Sequence, residues 1–98
     1  MIRDFFLGFI RIHILYHASK EPIYGLWLIE ELGRHGYKLS PGTIYPILHG
    51  LEKGGYLKVS QSLQSGKMRK YYGITPKGTS ALSESRDRIR ALIDEVMC

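Results

Sequence analysis

Mainly α-helical with one small β-hairpin is the fold class this chain predicts, and three observations lead there. Apolar residues recur at helical spacing in four stretches. Between the third and fourth, "YLKVSQSLQSGKMRKYYGIT" changes to alternation on either side of the turn residues in "SLQSGK". With 98 residues and 44% hydrophobic content the chain makes one domain, 1–98, whose thin core would gain from self-association.

The first helix is read over residues 2 to 18, the N-terminal segment of that domain. Ile2, Phe5, Phe6, Phe9, Ile10, Ile12, Ile14, Leu15 and Tyr16 leave it only a narrow polar strip. A helix without a polar half is buried on more than one side, so a partner chain is expected to cover the second. "MIRDFFLGFIRIHILYH" begins like a signal peptide, but Asp4, Arg11, His13 and His17 interrupt it and no small-residue cleavage site follows. It also falls short of the ~20 residues of a membrane span. "SKEP" ends this helix, and Pro22 suits the first turn of a second, from Ile23 to about His35. Tyr24, Leu28, Ile29 and Leu32 then share one face and Glu30, Glu31 and Arg34 the other, with Trp27 and Ile23 on the polar side.

"SPGTIYPILHGLEKGG" is the third helix and completes a helix-turn-helix over 22–55. Ser40 is its candidate cap, with Pro41 at the first position. Pro46 deletes a backbone bond and crowds the carbonyl of Gly42, which predicts a kink or an effective start at Thr43. Ile44, Ile47, Leu48 and Leu51 share one side; Gly42, Pro46, His49 and Lys53 lie opposite, flanked by Thr43, Tyr45 and Gly50. Such poor helix formers suit an outer surface that another molecule approaches closely. Gly42 has no side chain to obstruct it, the helix N-terminus offers N–H groups to an anion, and Thr43 and Tyr45 add hydroxyls. The competing reading is that Pro46 and the glycines merely loosen a core helix.

In the hairpin, 56–74, Leu57 and Val59 alternate with Lys58 and Ser60, and Tyr72 and Ile74 with Tyr71 and Gly73. Thr75 and Pro76 read as the N-cap and first position of a last helix in the segment 75–98. Three helices followed by a basic hairpin is the order of a winged helix-turn-helix, whose third helix enters the major groove. Charge agrees: residues 41 to 80 carry six basic side chains and one acidic, the whole of the net +5, while the flanks cancel. Lys67, Arg69 and Lys70 surround the hairpin turn, and cations there give phosphate affinity without sequence information. The candidate DNA-binding residues are therefore Ser40, Gly42, Thr43, Tyr45, His49, Lys53, Lys67, Arg69 and Lys70. In the last helix Leu82, Ile89 and Val96 stand seven apart with Leu92 and Ile93 between; with Phe5, Phe6 and Phe9 they are the candidate dimerisation residues.

The stretches "IYGLWLIEEL", "LSPGTIYPILHGLEKGGYL" and "SGKMRKYYGITPKG" resemble the PadR-like transcriptional regulators over residues 23 to 78. The resemblance implies a winged helix-turn-helix, a homodimer held by the first and last helices, and binding to operator sites on double-stranded DNA that usually represses transcription. It puts recognition-helix positions on Ser40, Thr43, Tyr45 and His49, and wing positions on Lys67, Arg69 and Lys70. Gly50 and Gly73 stand where many members carry a basic residue, and the single helix after the wing is like the short class of the family.

Cys98 is the only cysteine, so one chain can form neither a disulfide nor a cysteine-rich zinc site, and a reducing cytoplasm is the default. His13 and His17 have the spacing of a metal pair, but "HILYH" lacks an intervening Glu and no third ligand stands near in sequence. No metal or other cofactor is expected. Nor is a nucleophile and base pairing visible, so no catalytic residue is assigned and the chain is read as no enzyme. Trp27 is the candidate contact for a small aromatic effector, with interface packing as its competing role; some PadR-like relatives bind aromatic compounds near their dimer interface. Two further functions compete with DNA-binding regulation. A winged helix can serve as a protein-docking module, which a gel shift on random duplex DNA at low salt would distinguish. A sensor released from DNA by an aromatic compound would show quenching of Trp27 emission.

Overall fold

A computed structural model of the chain describes all 98 residues, Met1–Cys98. Its elements run α1 (Ile2–Lys20), α2 (Gly25–Arg34), α3 (Pro41–Lys53), β1 (Leu57–Gln64), β2 (Lys67–Ile74) and α4 (Pro76–Val96). One apolar cluster joins them, with Ile10, Ile14, Leu28, Leu32, Ile44, Leu48, Leu57 and Tyr72 fully buried at its centre.

The hairpin is antiparallel, from Leu57 opposite Ile74 to Gln64 opposite Lys67. Ser65 and Gly66 close it with φ of 51° and 79°. Two successive positive φ values match the right-handed twist of the strands, which is why a two-residue turn holds so long a ribbon.

The second helix begins at Gly25, later than its periodicity predicts. Ile23 is instead a one-residue strand on the hairpin's edge: its N–H donates to the Tyr72 carbonyl at 3.0 Å, and the Tyr72 N–H donates back at 2.7 Å. Pro22 therefore lies outside the helix, and Ile23 is buried in the core rather than on a polar side. Trp27 is likewise half-buried against the core, its ring meeting the edge of His17 at 5.4 Å between centroids. Ile23 departs from its expected side because it lies outside the helix, and Trp27 because α1, through His17, covers the side of α2 that it occupies.

The third helix runs from Pro41 through Pro46 to Lys53, so it does not start at Thr43. Ser40 is its N-cap by position, but its hydroxyl makes no cap bond; the Ser40 carbonyl accepts from the N–H groups of Thr43 and Ile44, each at 3.0 Å. Thr75 caps α4 as expected, accepting from the Gly78 N–H at 3.1 Å. Beyond Leu82 no residue of α4 is fully buried. The molecule spans 53 × 29 × 20 Å with a radius of gyration of 14.3 Å. A compact chain of this length would have about 13 Å, so this one is drawn out.

Candidate nucleic-acid interface

Helix α3 turns Ile44, Ile47, Leu48 and Leu51 into the core, which fixes its other side outward. Ser40, Gly42, Tyr45, His49 and Lys53 are exposed there and Thr43 is half-buried. A Cβ on Gly42 would meet only the Ser40 hydroxyl, at an ordinary 3.7 Å, and one on Gly50 would meet nothing within 4 Å. Nothing inside the chain requires glycine at either position, although Gly50, in the helix interior, weakens the helix by about 0.5–1 kcal/mol relative to alanine. The Gly42 N–H, at the second position of the helix, has no intrahelical acceptor.

Tyr45 leans back toward α2. A Cβ on Gly25 would lie 2.6 Å from its ring, so the absence of a side chain at Gly25 is what lets the ring settle over the start of that helix. Across from it stands the wing, and between them runs a groove of about 650 Å³ whose walls include Tyr24, Tyr45, Lys67, Arg69 and Lys70. The Arg69 guanidinium lies over the face of Tyr24, 4.0 Å from the ring centroid. This cation–π contact holds one wing cation in a fixed place. Lys67 and Lys70 are free and exposed; alternation along β2 puts Lys67 on the side of Arg69 and Lys70 on the opposite side. Lys77 is not free, since its ammonium donates to the Gly54 carbonyl at 2.7 Å and covers the Tyr56 ring. Lys53 ends α3, about 16 Å along the axis from Gly42, and belongs to the far end of the surface.

Sequence reasoning missed three contributors. Tyr24, core-facing by helical spacing, instead walls the groove and carries Arg69 on its ring. Arg3 and Arg11 of α1 line a groove of about 480 Å³ beside Gly42, Pro46 and Gly50. They add cations on the flank of α3 opposite the wing, which a tally by sequence segment could not reveal because α1 is far away in the chain.

The dimerisation residues separate into two groups. Phe5, Phe9, Leu92, Ile93 and Val96 stay 39–64% exposed, and Ile89 is half-buried. Leu82 is buried in the chain's own core and Phe6 packs on Tyr37 at 5.4 Å, so neither presents a free apolar face. The space around Trp27 measures about 200 Å³, below the ~300 Å³ at which ligand sites begin.

Elsewhere the fold brings together what the sequence kept apart. Glu31 and His35 of α2 approach His17, the potential ligand atoms of the three lying within 4.8 Å of one another. Both are distant from His17 in sequence, so the spacing of His13 and His17 gave no sign of this group. No helix is long and apolar enough to cross a membrane.

The profile of the transcriptional regulator PadR-like family matches residues 14–84. The chain is 45% identical over 96 residues to Transcriptional regulator Rv3488 of Mycobacterium tuberculosis, covering 98% of this chain and 90% of that protein. Its fold matches the crystal structure of a PadR family transcriptional regulator from Eggerthella lenta with a TM-score of 0.84 at 31% identity, over 98% of this chain and 85% of that one. It also matches a PadR-like transcriptional regulator from Bacillus cereus with a TM-score of 0.80 at 32% identity, over 96% of both chains.

Proposed function

The chain belongs to the PadR-like family of transcriptional regulators, and from that premise we propose that it acts as a homodimer that binds specific sites on double-stranded DNA and represses transcription there. The observation that carries this reading is the outer side of α3. Gly42 and Gly50 leave it bare without any internal need, and cations stand on both flanks, Arg3 and Arg11 on one and Lys67, Arg69 and Lys70 on the other. A helix that gives up intrinsic stability to stay bare, between two basic rails, fits the major groove with phosphates on either side. Gly42, whose N–H has no intrahelical acceptor, Thr43 and Tyr45 are the first to meet the duplex. Its place of work is the cytoplasm, where the DNA is.

The homodimer follows from the apolar strip of Phe5, Phe9, Leu92, Ile93 and Val96, which one chain leaves exposed on α1 and α4. Covering it with a second copy gives two recognition helices for half-sites about 34 Å apart. The test is the salt dependence of binding to DNA selected from a random duplex pool. Alanine at Lys67, Arg69 and Lys70 removes six cations per dimer and should flatten the slope of log affinity against log salt by roughly 5. An unchanged slope would remove the wing from the interface. Thr43→Ala and Tyr45→Phe should weaken specific binding more than binding to random duplex; equal losses would reassign both hydroxyls to the backbone.

A further inference from the structure

Four side chains at the joint between α1 and α2 have no part in the DNA surface. His13 and His17 stand one turn apart on α1, and Glu31 and His35 one turn apart at the end of α2. The rings of His13 and His35 are 5.7 Å apart between centroids, and those of His17 and His35 are 6.4 Å apart. His35 Nε2 is 3.3 Å from one Glu31 carboxylate oxygen, Oε2, while Arg34 donates to the other, Oε1. The Glu31 side chain is only 11% exposed.

From this convergence we propose that His17, Glu31 and His35, with His13 as fourth ligand, form a binding site for a divalent transition-metal cation of the Zn²⁺ or Ni²⁺ class. Three imidazoles and one carboxylate are a borderline donor set that suits such ions and gives little to Mg²⁺ or Ca²⁺. With metal–ligand bonds of about 2.0–2.1 Å, a tetrahedral site needs its donor atoms roughly 3.4 Å apart. The potential ligand atoms of His17, Glu31 and His35 already lie within 4.8 Å of one another, so the three have little distance to close. Partial burial pushes the imidazoles of His13 and His17 below the ordinary 6.5, so both are neutral at pH 7 with a lone pair available. The Arg34 hydrogen bond, before any other cause, holds the Glu31 carboxyl below its ordinary value and keeps it ionised. Arg34 can stay on Oε1 while Oε2 turns to the metal, which is the outer-shell support that ligating carboxylates usually have.

The site ties α1, the proposed dimerisation helix, to the end of the first helix of the helix-turn-helix. Its occupation therefore fixes the angle between dimer and reading head, so the metal acts as a regulator of DNA binding; this step rests on the function proposed above. The experiment uses the full, untagged, chelator-treated protein. Zn²⁺ titrated calorimetrically should bind once per chain, and Ni²⁺ should quench Trp27, whose ring is 5.4 Å from that of His17, whereas Mg²⁺ should do neither. His17→Gln and His35→Ala should each weaken Zn²⁺ by at least about tenfold. His35 is exposed, so its variant folds even if a change at His17 does not. Absence of Zn²⁺ binding and Ni²⁺ quenching, or variants that titrate like the parent, would overturn the site. Saturating Zn²⁺ should also change affinity for selected duplex DNA by about fivefold or more. Metal binding with unmoved DNA affinity overturns the regulatory step alone; metal binding by a chain that holds no DNA in either state overturns the DNA reading and leaves the site standing.

Discussion

At Gly25 the missing side chain is a positional device. A methyl group there would meet the Tyr45 ring at 2.6 Å, but the atoms it meets are the far end of a side chain that can swing aside. Gly25→Ala should therefore leave thermal stability nearly unchanged and weaken specific DNA binding, because the displaced ring alters the surface of α3. Loss of stability with DNA binding intact would show that the ring serves only packing. Tyr72 illustrates burial of a titratable group. It is 1% exposed, and burial first, then the Glu52 carboxylate and Tyr45, raise its phenol above the ordinary 10.0. The folded state thus holds that proton more tightly than the unfolded chain, so the contribution is complete below pH 10 and is lost as pH rises through the folded value. Urea unfolding measured from pH 9 upward should show stability falling above pH 10, and Tyr72→Phe should make that fall shallower.

The wing is a two-stranded ribbon whose outer part, Gln61 to Met68, is exposed on every residue, and such ribbons are marginal by themselves. Its inner end is anchored by the Ile23 bridge and its middle by Arg69 on Tyr24, with Tyr71 edge-on to the same ring at 5.6 Å. Tyr24→Leu removes the platform without removing charge. A cation–π contact of about 0.5–1 kcal/mol translates into a two- to fivefold loss of DNA affinity, with an unchanged salt slope. A gel-shift series at several salt concentrations checks both, and a flatter slope would mean that Arg69 had left the phosphate altogether.

As a whole the molecule has one face that carries the cations of the wing and another that leaves apolar side chains of α1 and α4 exposed. Phe5 and Phe9 meet edge to face at 4.8 Å on α1, and with Ile89 and Leu92 of α4 they border a groove of about 530 Å³. Burying a phenylalanine contributes about 1.5–3 kcal/mol, and a two-fold dimer contains each contact twice. Phe5→Glu should therefore weaken the dimer by at least about 100-fold in sedimentation equilibrium. DNA affinity should fall with it, because a monomer engages one half-site. A monodisperse dimer in the variant would move the interface elsewhere.

Local chemistry made most of the fold legible in the chain itself. Ser65-Gly66 specifies its turn, Thr75-Pro76 its helix start, and Ile44, Ile47, Leu48 and Leu51 their inward face, because each depends on neighbours within a few residues. The bare side of α3 and the cations of the wing were legible for the same reason. Where distant segments meet, the chain alone was silent or misleading. The Ile23 bridge to Tyr72 delayed α2, Leu82 sank into the core, Arg3 and Arg11 came to flank α3, and Glu31 and His35 closed on His17. Periodicity reports only which side of an element is apolar; what that side meets depends on packing between elements, and only the tertiary structure decided it.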